Sequence, residues 1–146
     1  MMKSLLRKTA LFLVGFYGYI TIELLYRGYS YVLMGLCGGL VVLLIDPIND
    51  RISWDIPLVI QGCIGSAIIT TMEFVIGTLS PVKMWDYSDM PFNVDGVICL
   101  PFSMLWVLLS IVAVFVADAM NYYIFDEEPC PYYRILSHTI RFKQKK

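Results

Sequence analysis

Ile56-Pro-Leu-Val-Ile-Gln-Gly-Cys-Ile-Gly-Ser-Ala-Ile-Ile-Thr-Thr-Met-Glu-Phe-Val-Ile-Gly-Thr-Leu79 holds a single charged side chain, Glu73, in 24 residues. About 20 mainly apolar residues are enough to cross a bilayer as a helix. Three other stretches read the same way: residues 9–26, 29–45 and 97–117. The second is the shortest and takes in Tyr29 from the link Arg27-Gly28-Tyr29; Asp46-Pro47 ends it. Pro57 sits at a first-turn position that helices tolerate. These segments predict an all-α integral membrane bundle of four transmembrane helices, one domain over residues 1–146.

Composition points the same way. Of the 146 residues, 58% are hydrophobic and 16% charged, against about 25% charged in an ordinary soluble domain. The mean hydropathy is +0.69. Too few polar side chains are present to cover a water-facing surface, so the excess must face lipid. A net charge of −1 without a basic stripe argues against a nucleic-acid partner. The four cysteines form no C-x-x-C pair and there is one histidine, His138, so a metal or haem site is not expected and no cofactor is predicted. The cysteines read as small apolar fillers. Lys3, Arg7 and Lys8 before an apolar run resemble the start of a signal peptide. The run is too long for one and no A-x-A site follows, so it reads as an uncleaved first span.

Orientation follows from Lys and Arg. With the N-terminus in the cytoplasm, Lys3, Arg7, Lys8, Arg51, Arg134, Arg141, Lys143, Lys145 and Lys146 lie inside; only Arg27 and Lys83 lie outside. That asymmetry predicts both termini inside, with residues 126–146 as a basic cytoplasmic tail. Ile135, Leu136, Ile140 and Phe142, mixed with Arg134 and Arg141, suggest that the tail lies on the membrane surface as an amphipathic segment. The acidic run Asp126-Glu-Glu128 is expected to end the fourth helix in solvent. Gly35-x-x-x-Gly39 and Gly62-x-x-x-Ser66 are close-packing spacings, for the chain's own helices or for a second copy.

Two carboxylates lie inside apolar segments. Gly15, Thr21 and Glu23 recur in type and spacing as Gly65, Thr71 and Glu73, 50 residues on. An intramembrane carboxylate is by default a candidate for function. Glu23 has Arg27 at i+4, in the favourable order for a helical ion pair. Glu73 has no basic neighbour within a turn, so its partner must come from the outer loop, Arg27, water or a ligand. The outer loop, residues 83–96, combines Trp85, Tyr87 and Phe92 with Asp86, Asp89, Asp95 and Asn93. The rings suit the interface, Asp95-Gly96 reads as a turn, and the acceptors suggest a folded cap over the glutamates.

Trp85-Asp-Tyr-Ser88, Met90-Pro-Phe-Asn93 and Gly96-Val-Ile-Cys-Leu-Pro-Phe-Ser103 with Trp106 resemble the family of putative ABC-transporter type IV, or CmpB-like, permeases. Glu23-Leu-Leu-Tyr-Arg-Gly28, Gly38-Gly39, Ile69-Thr-Thr-Met-Glu-Phe74 and Phe125-Asp-Glu-Glu128 extend the resemblance over about residues 15–133. Family members often carry a His where this chain has Tyr31, so no role for that side chain transfers. The resemblance implies a multi-pass cell-membrane protein that binds or transports a small molecule within a larger assembly. The alternative is a non-transporting scaffold or regulatory subunit.

No P-loop is present, so ATP hydrolysis by that route would fall to a separate ATPase. Four helices are few to enclose a path, which points to a homo-oligomer or to another membrane subunit as partner, besides the bilayer. No catalytic arrangement is present and no enzyme is expected. The candidate ligand-binding residues are Glu23, Glu73, Arg27, Trp85, Asp86, Tyr87 and Asn93.

Overall fold

The structure is a computed structural model that describes residues 2–127 and 129–145. Glu128 of the acidic run and Lys146 of the basic tail lie outside the described residues. Among the described residues, four helical stretches are long and apolar enough to cross a membrane. The chain runs α1 (Met2–Arg27), α2 (Val32–Ile45), α3 (Ile48–Arg51), α4 (Leu58–Leu79) and α5 (Leu100–Ala119), which continues as a π-helical turn at Met120–Ile124. Two small antiparallel hairpins complete it: β1 (Asn93–Val94) with β2 (Ile98–Cys99), and β3 (Tyr132–Ile135) with β4 (His138–Arg141).

The helices pack as two hairpins, α1 on α2 and α4 on α5, and α2 joins the hairpins by contacting both α4 and α5. Backbones approach closely where side chains are absent. A Cβ on Gly15 would stand 2.4 Å from the Gly38 carbonyl oxygen, and one on Gly39 would strike the Phe12 ring. Gly62 and Gly65 receive α5 in the same way, at Val107 and Ser110. Both small-residue spacings are thus used inside the chain. Ser66 Oγ donates to the Ser103 carbonyl at 2.6 Å and Thr70 Oγ1 bonds Ser103 Oγ at 3.0 Å, fastening α4 to α5. Large apolar side chains such as Leu13, Leu44, Val59 and Leu108 point outward, as lipid-facing positions do.

Element boundaries differ from the sequence reading in three places. The first helix begins at Met2 rather than residue 9, because Arg7 finds carboxylates to pair with: Asp46 at 3.4 Å and Glu127 at 3.0 Å. Asp46-Pro47 does not end the second span. It marks a break, after which α3 prolongs the span to Arg51; Pro47 cannot donate a backbone N–H, and the Asp46 carboxylate is held by Arg7 and by Asn121 at 2.6 Å. The ten-residue inner loop expected at 46–55 thereby shrinks to residues 52–57. The fourth span continues past Ala117 to Ile124.

The tail is the main correction. It folds as a β-hairpin docked on the helix ends. Tyr133 is fully buried and packs edge-on against Phe115, with ring centroids 4.4 Å apart. Phe142 stacks on Phe115 and on Tyr123. Alternate residues of a strand face opposite sides, so a strand can bury Tyr133 and expose Arg134. In the acidic run, Asp126 pairs with Lys145 and Glu127 with Arg7, so the helix end is clamped as well as solvated.

Candidate functional site

Glu73 lies on α4 two turns before its end and is 5% exposed. Its carboxylate accepts the Trp106 indole N–H at 2.7 Å and the Tyr87 hydroxyl at 3.2 Å. Trp106 is on α5, buried, and Tyr87 descends from the loop. Three chain segments therefore meet at one carboxylate, and none brings a positive charge. Among the described residues, no ion pair involves Glu73.

The loop is shaped by its own polar groups. Asp95 and Gly96 both have positive φ, at 54° and 66°, and the Val97 N–H donates to the Val94 carbonyl at 3.0 Å. With Val94 paired to Ile98, residues 95–97 form a three-residue hairpin loop, and Asp95 and Gly96 supply its left-handed turn. Asn93 Nδ2 donates to the carbonyls of Ser88 and Met90, and its Oδ1 accepts from the Gly96 N–H. Asp86 accepts from Lys83 and from Ser88. The Lys83 hydrogen bond, first, holds its carboxyl below the usual range. Asp86 and Asn93 thus hold the loop's shape.

Trp85 and Tyr87 reach inward. Trp85 Nε1 donates to the Val97 carbonyl at 2.7 Å and its ring lines the central cavity. Tyr87 stacks on Phe102 with centroids 4.6 Å apart. Burial, and then the charge of Glu73, raises the Tyr87 phenol well above its ordinary range; it remains a hydrogen-bond donor at neutral pH.

Glu23 and Arg27 form a neighbouring cluster with different chemistry. Arg27 Nη2 donates to Glu23 Oε1 at 2.5 Å and Ser30 Oγ donates to Oε2 at 2.5 Å. Arg27 Nη1 donates to the Met84 carbonyl at 2.7 Å, and its guanidinium lies over the Tyr29 ring at 4.6 Å. Glu23 is thus neutralised, and Arg27 fastens the loop to α1. The sequence echo between the two glutamates does not extend to their partners. Tyr19 lines the cavity beside Glu73, and its ring centroid is 6.5 Å from that of Trp106.

Beneath Glu73 runs a cavity of about 190 Å³, lined by α1, α2, α4 and α5. Its walls are apolar apart from Glu73, Tyr19 and the Trp85 indole. Apolar cavities of about 150 Å³ stay dry and take up apolar molecules. Sequence reasoning brought Glu73, Trp85 and Tyr87 together but left out Tyr19 and Trp106. Trp106 lies 33 residues from Glu73; only its place in the middle of an apolar span, where an indole N–H needs a partner, signalled a role.

A second buried carboxylate lies at the other end of the bundle. Asp118, 5% exposed, accepts from Asn49 at 2.9 Å and from the Tyr133 hydroxyl at 2.7 Å. Burial first, and then Asp118, raises the Tyr133 phenol. This cluster ties α3, α5 and β3 together.

The sequence profile of the family described as Putative ABC-transporter type IV matches residues 11–141. No curated protein and no solved structure matches the chain.

Proposed function

The chain belongs to the family described as Putative ABC-transporter type IV, and on that premise we propose that it is a permease-like subunit of the cell membrane that binds or transports a small molecule. With its four apolar helices, it is a transport-related membrane protein, and a transporter component is not an enzyme class.

One observation carries the finer reading. Glu73 is 5% exposed, touches the central cavity and has no cation beside it among the described residues. A carboxylate in the membrane interior is costly to place there, and a ligand site supplies a reason for keeping it. Trp106 and Tyr87 present it with two donors while leaving acceptor capacity, since a carboxylate offers about four lone-pair sites. Trp85 and Tyr19 complete the rim. Arg27 and Glu23 hold the loop in place above, and Asp86 and Asn93 give the loop its form.

The sequence holds no P-loop, so we assign ATP hydrolysis to a separate subunit. The charge asymmetry supports a reading with both termini in the cytoplasm. The rival reading, a scaffold without transport, draws on the short linker 52–57, which offers an ATPase little surface. Purification from native membranes, followed by ligand-induced thermal shifts on wild type and Glu73→Gln, tests the choice. A co-purifying ATPase and a stabilising solute whose effect is lost in Glu73→Gln support the permease reading. A chain that purifies without an ATPase and that no solute stabilises overturns it in favour of the scaffold.

A further inference from the structure

The cavity under Glu73 is closed in some directions and open in one. At its loop end the wall is Trp85, bonded to the Val97 carbonyl. Between α2 and α4 it is closed by Met34, Val41 and Ile69, each at most 9% exposed. On the flank between α1 and α5 the lining residues are open: Val14 is 40% exposed, Ile22 43%, Val112 55% and Val116 36%. Gly18 lies on the same flank, and a Cβ there would meet no atom within 4 Å. That opening faces the hydrocarbon of the bilayer in a chain whose α1 and α5 both span it.

A ligand entering by this flank comes from the lipid phase and must be apolar over most of its length. Its polar end must suit Glu73. The carboxylate already accepts two hydrogen bonds, lacks a counter-charge and lies beside the Trp106 indole, whose ring centroid is 6.5 Å from that of Tyr19. A carboxylate without a counter-charge in an apolar surround is chemistry that selects a cation by charge. An anionic head would be repelled. We propose that the α1–α5 cleft is a lateral site for a membrane-partitioned amphipathic amine, its ammonium head at Glu73 and its alkyl chain along Gly18, Val14 and Val112. The proposal rests on the small-molecule reading above and names the ligand's class and route of entry.

The test uses the full chain in nanodiscs of phosphatidylcholine, with empty discs as background and three probes: n-dodecylammonium, n-dodecanol and n-butylammonium. Saturable dodecylammonium binding is expected, with dodecanol and butylammonium each at least about tenfold weaker, because each lacks one half of the recognition. Glu73→Gln keeps the shape and a hydrogen-bonding head but removes the charge, and should weaken dodecylammonium about tenfold while leaving dodecanol unchanged. Gly18→Phe fills the cleft from one wall and Val112→Trp from the other. Each should weaken dodecylammonium about tenfold and leave butylammonium unchanged, and the second variant serves if the first does not fold.

Butylammonium binding as tightly as dodecylammonium, or cleft-filling variants without effect, overturns lateral entry. Dodecanol matching dodecylammonium, or Glu73→Gln without effect, overturns the cation assignment. Either result leaves the small-molecule reading standing, which falls only if no solute of any charge is bound.

Discussion

Two glycines three residues apart on α1 should respond to the same substitution with opposite sign. A Cβ at Gly15 would stand 2.4 Å from the Gly38 carbonyl oxygen and 2.7 Å from a Val42 methyl, whereas a Cβ at Gly18 meets nothing within 4 Å. The first distance is 1.0 Å short of the 3.4 Å at which ordinary contact begins. The obstructing atom is backbone, so no rotamer change relieves it and the helices must separate. Overpacking of this kind costs about 1–3 kcal/mol. Gly18→Ala relieves the glycine entropy penalty in a helix interior, about 0.5–1 kcal/mol.

On the soluble-protein scale of about 2–4 °C per kcal/mol, Gly15→Ala should lower the unfolding temperature by about 2–12 °C. Gly18→Ala should hold it or raise it by up to about 4 °C. Scanning fluorimetry in a mild detergent reads both, with Trp85 and Trp106 as internal reporters. A Gly15→Ala protein as stable as wild type, or a Gly18→Ala protein equally damaged, would refute the close approach of α1 and α2.

Trp106→Phe removes the indole donor and leaves Glu73 with Tyr87 alone; a loss of about 1–3 kcal/mol is expected, and a double-mutant cycle with Glu73→Gln should show that the two effects do not add. Tyr87 and Tyr133 have folded-state pKa values raised by burial and then by a carboxylate. Their contribution to stability is therefore intact below the free phenol value near pH 10 and lost as pH rises towards the folded value. Thermal unfolding should fall between about pH 10 and 11.5, and less steeply in Tyr87→Phe and Tyr133→Phe; an unchanged slope would remove the assignment. Reporter fusions after residue 145 and within residues 86–95 should report opposite sides of the membrane, since a loop and a tail on the same side would contradict four spans.

Span number was readable because hydrocarbon thickness sets a length that composition can be scanned for. The ends were not, because charge pairing decides them. Arg7, Asp46 and Asp118 look like terminators to a hydropathy scan, yet each sits in helix or at a helix break because partners arrive from 15 to 120 residues away. The tail hairpin was hidden differently. Its turn uses Leu136 at φ 53° rather than the Asn-Gly or Asp-Gly that announces a hairpin, and the strands' alternation was masked by basic residues. In the site, Glu73 stood out as a lone charge in an apolar run. Trp106 did not, since an indole in a span reads as ordinary apolar bulk until its N–H is traced. Asp86 and Asn93 stood out as polar groups in an aromatic loop, and the loop itself accounts for their hydrogen bonds.

The Asp118–Tyr133 bond has a consequence for biogenesis. A chain cut short before residue 132 lacks Tyr133, which follows Asp118 by 15 residues. It carries an intramembrane acid that lacks one of its two donors, a condition that disfavours stable residence in lipid. β3 thus acts as a latch on the buried end of α5. A chain truncated before residue 132 would insert its spans yet remain a substrate for membrane proteolysis.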